Sequence, residues 1–269
     1  MESVAFWKDA SWVAERRAAG EQADVLHVCI SSQVGCNVGC TFCATGLQRA
    51  KRSLTADEIM QQLEGVLQDS GDVRDVGVTF AGMGEPLLNF QGVTGATKAM
   101  LAHDRIANVS LSTIGIVPNV YRLAELRLDL RLFLSLHAPH DELRQKLIPF
   151  NTHFPLADVI ASGKVYSERT GAKVEASYLL LEGVNDSPEH AAELARQLDP
   201  AHFNLQILMW NKVQGFDFAR VSDEKAEQLA NVFREHGLHT YVMGSKARDI
   251  EGACGQLAGR HPVPEVNGG

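Results

Sequence analysis

Short apolar runs rich in β-branched residues alternate along this chain with longer amphipathic stretches. The short runs predict buried strands and the longer stretches predict helices, an alternation typical of βα units around a parallel sheet. We predict strands at 25–30, 76–80, 109–112, 130–136, 174–180 and 203–208, with a further strand at 239–243. We predict helices at 56–68, 93–102, 120–126, 156–168, 189–198 and 224–236. The fold class is therefore α/β, a partial (β/α)6 TIM-like barrel, and Thr55 with Glu58 offers a capping box for the first of these helices.

Polar residues and glycines gather directly after several of the predicted strands. In barrels of this kind, the carboxyl ends of the strands form the rim that carries the chemistry. Gly82 and Gly84 let the backbone approach a ligand closely, and Glu85 is suited to accept hydrogen bonds from a ligand amine. Other polar residues end or follow later strands: Ser112, Ser135, His137 and Asn211. We expect a binding site at this rim, although each motif taken alone also fits a turn or a structural polar residue.

Three cysteines in one loop are the strongest chemical signal in the sequence. Cys36, Cys40 and Cys43 have the spacing C-x3-C-x2-C and supply three thiolates without a fourth. Iron–sulfur clusters are normally held by four thiolates, so three indicate a [4Fe-4S] cluster with one iron open to a reacting ligand. The alternative is structural zinc, with Cys29 or His27 as a fourth ligand.

Composition and charge are those of an ordinary globular protein. The chain has 269 residues, 45% hydrophobic and 22% charged, enough to form one sizeable core. Its N-terminus lacks signal-peptide features and no apolar run approaches the roughly 20 residues that span a bilayer, so we expect a cytoplasmic protein without a membrane partner. The net charge of -8 opposes a broad nonspecific nucleic-acid surface but permits a local basic patch at Arg49, Lys51 and Arg52.

The cysteine loop resembles that of the radical S-adenosylmethionine (SAM) enzymes. Further motifs resemble one particular family of these enzymes. Four runs, in order, are similar to the RlmN/Cfr family: CISSQVGC at 29–36, GMGEPLLN at 82–89, SLHAP at 135–139 and ACGQLAG at 253–259. These enzymes are class A radical SAM methyltransferases that act on adenine in ribosomal RNA. The similarity covers about 26–261, so the resemblance implies a radical SAM barrel and methylation at adenine C2 or C8.

The resemblance also implies cofactors and their contacts. Cys36, Cys40 and Cys43 would hold a [4Fe-4S] cluster, and an electron donor such as flavodoxin or ferredoxin would reduce it. SAM would contact seven residues at the rim: Gly84, Glu85, Ser112, Ser135, Leu136, His137 and Asn211.

Two further cysteines have roles that the resemblance assigns and that the chemistry explains. An electron-poor ring carbon is a poor nucleophile toward SAM, whereas a thiolate takes a methyl group readily. In the family scheme Cys254 carries the methyl group, loses a hydrogen to the 5'-deoxyadenosyl radical and joins the ring covalently. Cys29 then releases the product and forms a disulfide with Cys254. An isolated cysteine would instead be a buried apolar residue.

The chain departs from the family at both ends. The family usually carries an N-terminal accessory domain thought to hold RNA, and we expect this chain to lack it. We divide the sequence into an N-terminal extension at 1–24, the catalytic domain at 25–261 and a flexible tail at 262–269. Glu2 resembles the family's proposed proton acceptor, although the spacer after it is longer. The segment 243–250 is less basic than in the family.

Four functions remain open from the sequence, one of which is a nonenzymatic iron–sulfur or zinc-binding module. The motifs favour RNA adenine as the substrate, whereas the acidic surface and the expected missing domain favour the same chemistry on a small heteroaromatic or nucleoside metabolite. A radical enzyme that abstracts hydrogen without transferring a methyl group is the third alternative.

Overall fold

Eight strands of one curled sheet form the centre of the molecule. The computed structural model describes residues 3–8, 10–18, 20, 23–213 and 215–244. The strands are β1 Val4–Trp7, β2 Leu26–Ile30, β3 Gln33–Val34, β4 Arg52–Ser53, β5 Val76–Phe80, β6 Ile106–Thr113, β7 Leu130–Ser135, β8 Val174–Leu180, β9 Phe203–Met209 and β10 Thr240–Met243. The helices are α1 Ala10–Ala18, α2 Ala56–Asp69, α3 Phe90–Leu101, α4 Val117–Leu126, α5 Asp141–Leu147, α6 Leu156–Thr170, α7 Pro188–Ala195 and α8 Asp223–Glu235.

The order of the large sheet is β1-β2-β5-β6-β7-β8-β9-β10. Its strands are parallel except β1, which runs antiparallel to β2 and places Val4 opposite Cys29. A separate hairpin pairs β3 with β4. The curled sheet is a half-barrel, which confirms the predicted α/β fold class and the partial TIM-like barrel. All six predicted strands and the further strand at 239–243 are present, within a few residues of the predicted bounds.

Four elements of the described residues were not predicted. One is α1, a helix of nine residues in the segment interpreted as an extension. The other three are shorter still, too short to show a clear period. β1 is four residues long and lies inside the segment interpreted as an extension, but it hydrogen-bonds to the edge of β2. α5 has seven residues, and its helical pattern spans only two turns. The hairpin of β3 and β4 has two residues in each strand. β1 pairs with β2, the hairpin begins just after β2 ends, and the end of α5 contacts the cysteine loop.

The two faces of the sheet differ in polarity. On β2 and β5, the buried outer residues Val28, Ile30, Val78 and Phe80 belong to the apolar core that the helices cover. The alternate residues point to the concave side, because successive strand residues face opposite ways. α2 begins with the predicted capping box between Thr55 and Glu58. Among the described helices, none is long and apolar enough to cross a membrane.

Candidate functional site

The cysteine loop is tied to its surroundings by backbone hydrogen bonds. It follows β2, and the Cys36 amide donates to the Gln48 carbonyl at 2.9 Å. The Thr41 amide donates to the Leu147 carbonyl at the end of α5 at 3.0 Å. The indole Nε1 of Trp210, just after β9, donates to the Phe42 carbonyl at 3.2 Å. The loop therefore contacts elements from both halves of the sheet.

The three thiols of the loop are partly buried and lie within range of one another's charge. Burial raises the pKa of Cys36 to about 12, with further contributions from the charges of Glu85 and Cys43. Burial also raises the pKa of Cys40 well above its usual value, and the charges of Cys43 and Cys36 add to this. Three such thiolates need a positively charged partner. Soft thiolate ligands select iron–sulfur clusters or zinc, so the donor set fits a cluster.

The described side chains of this loop do not form a binding site for a single metal ion. Within the described part of the chain, no three His, Cys, Asp or Glu side chains lie close enough together to hold one metal ion. The thiolates of a [4Fe-4S] cluster each bind a different iron, so they need not converge on one point.

Glu85 is a buried carboxylate that joins the ends of β5 and β6. Its Oε1 accepts hydrogen bonds from the Thr113 hydroxyl at 2.5 Å and the Leu87 amide at 2.9 Å, and its Oε2 accepts from the Ile114 amide at 3.0 Å. Burial raises its pKa to about 6, partly offset by these hydrogen bonds, the one from Thr113 above all. A carboxylate offers about four acceptor positions, so Oε2 keeps one for a ligand amine.

His137 is held in one tautomer at the end of β7. Its Nδ1 accepts a hydrogen bond from the Leu179 amide at 3.1 Å, so the neutral ring carries its proton on Nε2. Its φ of 61° is left-handed, and its carbonyl accepts from Asn185 Nδ2 at 2.8 Å. Burial, followed by the charge of Arg144, lowers the pKa of His137 to about 3. The imidazole is therefore a neutral hydrogen-bond donor at physiological pH.

Asn211 carries an unsatisfied acceptor at the same rim. The residue is buried, and its Oδ1 makes no hydrogen bond with the described part of the chain. Its Nδ2 donates to the Met209 carbonyl at 3.4 Å. An unpaired buried acceptor costs roughly 1–3 kcal/mol, so such atoms mark places where a ligand donor is expected. Asn211 therefore fits a role in holding a polar cofactor.

Arg144 is a buried guanidinium that the sequence analysis missed. It extends from α5, and its nitrogens donate to three backbone carbonyls at the rim: Leu136 at 3.2 Å, Ile114 at 2.6 Å and Ser135 at 3.0 Å. It also donates to Asn151 Oδ1 at 2.5 Å. Burial lowers its pKa to about 10. No sequence motif pointed to it, because its importance lies in contacts between separate elements.

The concave wall is a second feature that the sequence analysis missed. Polar residues alternate with apolar ones along the strands, and the alternation in β6, β8 and β9 is a period-two signal that was present in the sequence. The side chains facing this side include His27, Cys29, Thr79, Asn108, Ser110, Glu175, Ser177, Asn204 and Gln206. Hydrogen bonds link Gln206 to Ser177 at 2.6 Å and Asn204 to Glu175 at 2.8 Å.

The structure brings most of the predicted site residues to one region. Gly84 and Glu85 follow β5, Ser112 and Ser135 lie near the ends of β6 and β7, Leu136 and His137 follow β7, and Asn211 follows β9. Cys29 lies on β2 below the cysteine loop. Glu2 and Cys254, together with residues 262–269, lie outside the described residues.

Comparison with known proteins agrees with this architecture. The family model "Radical SAM superfamily" matches residues 30–198. The half-barrel and the three-cysteine loop therefore define a radical SAM enzyme. This superfamily uses a [4Fe-4S] cluster and SAM, which confirms both predicted cofactors.

Individual relatives narrow the family further. The dual-specificity RNA methyltransferase RlmN of Marinobacter nauticus is 39% identical over 244 residues, covering 87% of this chain and 66% of the relative. A probable enzyme of the same name from Dictyoglomus thermophilum is 39% identical over 237 residues, covering 86% and 68%. The crystal structure of a radical SAM methyltransferase from Sphaerobacter thermophilus matches with a TM-score of 0.79 and 35% identity, covering 86% of this chain and 70% of that one. The chain belongs to the RlmN family of radical SAM methyltransferases.

Proposed function

We propose that this protein methylates an adenine carbon, C2 or C8, in RNA through a methyl group carried on Cys254. The chain spans about two thirds of the length of the curated relatives, which are named as RNA methyltransferases. The observation that carries the proposal is the placement of Cys29. It faces the concave side of β2, the strand that leads directly into the cysteine loop. A second thiol so placed supports methyl transfer, because simple hydrogen abstraction requires no thiol nucleophile.

The cofactors would be held by the residues at the rim. Cys36, Cys40 and Cys43 would ligate the cluster, with flavodoxin or ferredoxin as the class of electron donor. When bound, the cluster and SAM supply a carbon-centred radical. Proposed SAM contacts are Gly84, Glu85, Ser112, Ser135, Leu136, His137 and Asn211. His137 is suited to donate from Nε2, and Glu85 to accept from an amine through Oε2.

The two remaining cysteines would have different roles in methyl transfer: Cys254 would carry the methyl group, and Cys29 would release the product. The Cys254 thiolate would take a methyl group from SAM, and the S-methyl group would give up one hydrogen atom before its carbon bonds to the ring. The ring would then lose its own proton, and one electron would return to the bound cluster. Cys29 then attacks the Cys254 sulfur, which breaks the carbon–sulfur bond and leaves a disulfide. Two electrons and two protons from a reductant restore the thiols. Val4 pairs with Cys29 near the end of β2, which supports Glu2, two residues earlier in the sequence, as a proton acceptor.

A small exposed patch beside the cysteine loop supports RNA as the substrate. Arg49 and Lys51 are exposed there, and the Leu47 side chain is 68% exposed. Arg52 is paired with Glu58 at 2.6 Å, so its charge is already balanced. Basic groups bind phosphates, and an exposed apolar side chain can contact a base.

The proposal is tested by product analysis under anaerobic conditions. Reconstituted enzyme, reductant and methyl-labelled SAM are incubated with protein-free ribosomal RNA, and mass spectrometry follows both the nucleosides and the Cys254 peptide. Label on adenine supports the proposal. Label confined to Cys254 retains the carrier chemistry but moves the substrate to a small heteroaromatic or nucleoside metabolite. Cleavage of SAM without label on either would indicate a hydrogen-abstracting enzyme.

Replacing Asn211 by alanine tests the proposed SAM site. We expect SAM to bind the reconstituted protein about tenfold more weakly, because loss of one buried hydrogen bond costs about 1.4 kcal/mol. Anaerobic titration calorimetry measures this affinity. Asn204→Ala is the matched control, since Asn204 bonds Glu175 lower on the wall and should leave SAM affinity unchanged. Equal affinities for wild type and Asn211→Ala would remove Asn211 from the site.

A further inference from the structure

Three side chains on the concave wall form a hydrogen-bonded chain beside Cys29. Asp24 Oδ2 lies 2.7 Å from His27 Nδ1, and His27 Nε2 lies 2.9 Å from Thr79 Oγ1. An ionised carboxylate only accepts, so His27 Nδ1 carries the proton and Nε2 is left to accept from the Thr79 hydroxyl. The two hydrogen bonds therefore run in one direction: the Thr79 hydroxyl donates to His27, and His27 donates to Asp24.

Asp24 is ionised in this arrangement. It is buried, which acts to raise its pKa, but its hydrogen bond with His27 lowers the pKa below the usual value, with a smaller contribution from the charge of Lys8. A buried carboxylate beside an imidazole stabilises the imidazolium that forms when the ring takes a second proton.

The surrounding packing keeps the three groups in place. A Cβ added to Gly77 would lie 2.5 Å from Asp24 Oδ2, so a side chain at position 77 would displace the carboxylate. Phe6 of β1 lies against the imidazole, with ring centroids 5.3 Å apart. The site therefore combines a turn residue with two strands that the sequence separates by some 50 positions.

Cys29 is the neighbour of Thr79 in the sheet. The two residues are register partners in the parallel pair of β2 and β5, so their side chains face the same side. Neighbouring strands lie roughly 4.8 Å apart, so the thiol and the hydroxyl at these paired positions lie side by side, and a rotation of the thiol about its side-chain bond would bring them to hydrogen-bond distance. Because the Thr79 hydroxyl donates to His27, its oxygen is available to accept from the Cys29 thiol.

We propose that Thr79 and His27 form a proton relay that converts the Cys29 thiol to a thiolate. The Cys29 proton passes to the Thr79 oxygen as the Thr79 proton passes to His27 Nε2, and Asp24 stabilises the resulting imidazolium. No electrons are gained or lost in this step. The relay deepens the proposed function and rests on it, because it supplies the nucleophile that attacks the Cys254 sulfur. Thr79 and His27 are positioning residues that act through Cys29.

Among the residues that the structure describes, few other charges face the imidazole. Asp24 comes from the turn before β2, and the Lys8 ammonium at the end of β1 lies 5.2 Å from the centroid of the Phe6 ring. Arg17 and Asp75 pair with each other at 2.6 Å near the start of β5. On β5 itself, the positions that share this face are Gly77 and Thr79. A change in Thr79 therefore alters the relay without removing a charge.

The test measures the reactivity of the Cys29 thiol in the full-length, cluster-bound protein. Cys254→Ala is the background, so that Cys29 cannot form the proposed disulfide. Iodoacetamide alkylation is followed against pH by mass spectrometry with fragments that resolve Cys29 from the other cysteines. Thr79→Val removes the hydroxyl while keeping its volume, and Thr79→Ser is the matched control that retains it.

We expect Thr79→Val to raise the apparent pKa of Cys29 by about one unit and to slow alkylation at pH 7 about tenfold. Thr79→Ser should keep the parental profile, and Asp24→Asn should change it in the same direction as Thr79→Val. A parental profile for Thr79→Val overturns the relay, as does equal slowing in both Thr79 variants. The assay needs no turnover, so failure of the relay is distinguishable from failure of methyl transfer, which the labelling experiment reports.

Discussion

Replacing Cys254 by alanine is expected to abolish methylated product while leaving the cluster intact. The proposed chemistry needs a thiolate to take the methyl group, because the ring carbon cannot attack SAM directly. Alanine has no such atom, whereas the three cysteines proposed to hold the cluster lie in a separate loop between β2 and α2. The label on the Cys254 peptide and the product should both disappear, and the visible absorbance of the cluster should match wild type.

Cys29→Ala is the matched variant for this experiment. It leaves the proposed methyl carrier in place but removes the nucleophile proposed to release the product, so we expect RNA to accumulate covalently bound to Cys254. Denaturing electrophoresis with labelled RNA detects the adduct. Loss of the cluster in Cys254→Ala, or continued turnover by that variant, would contradict the assigned role of Cys254.

Replacing Arg144 by methionine is expected to destabilise the fold by about 4 kcal/mol or more. The guanidinium donates to the carbonyls of Ile114, Ser135 and Leu136 and to the side chain of Asn151. Methionine fills a similar volume but leaves these buried acceptors unpaired, at a cost of roughly 1–3 kcal/mol each. The midpoint of urea unfolding, followed by circular dichroism under anaerobic conditions, measures the loss.

Arg169→Met is the control for the loss of a charged arginine. Arg169 is exposed and pairs with Glu125 at 3.2 Å, so its replacement should cost less than about 1 kcal/mol. Similar midpoints for Arg144→Met and Arg169→Met would show that the buried hydrogen bonds do not organise the rim. Arg144→Lys should be intermediate, because lysine keeps the charge but lacks the planar array of donors.

The sequence alone predicted the α/β class, the six main strands and the cysteine loop. Strands and amphipathic helices can be predicted because the spacing of their apolar residues is visible in a short stretch of sequence. A helix cap such as Thr55 with Glu58 likewise depends on residues only three positions apart. The same locality explains what was missed. β1 forms because β2 has an unpaired edge, a fact that no pattern in its four residues contains.

The site divides in the same way. Motif spacing identified the three clustered cysteines and the strand-end residues, since those chemistries depend on residues close in the chain. Arg144 could not be identified, because the carbonyls it binds belong to β6 and β7 and meet α5 only after folding. The hydrogen bonds that link Asp24, His27 and Thr79 could not be predicted from the sequence either. They depend on the parallel register of β2 and β5, which also places Thr79 beside Cys29. Local sequence therefore determined which reactive groups the protein has, and strand pairing decided which of them meet at hydrogen-bond distance, as Thr79 and His27 do, because such pairs come from segments far apart in the chain.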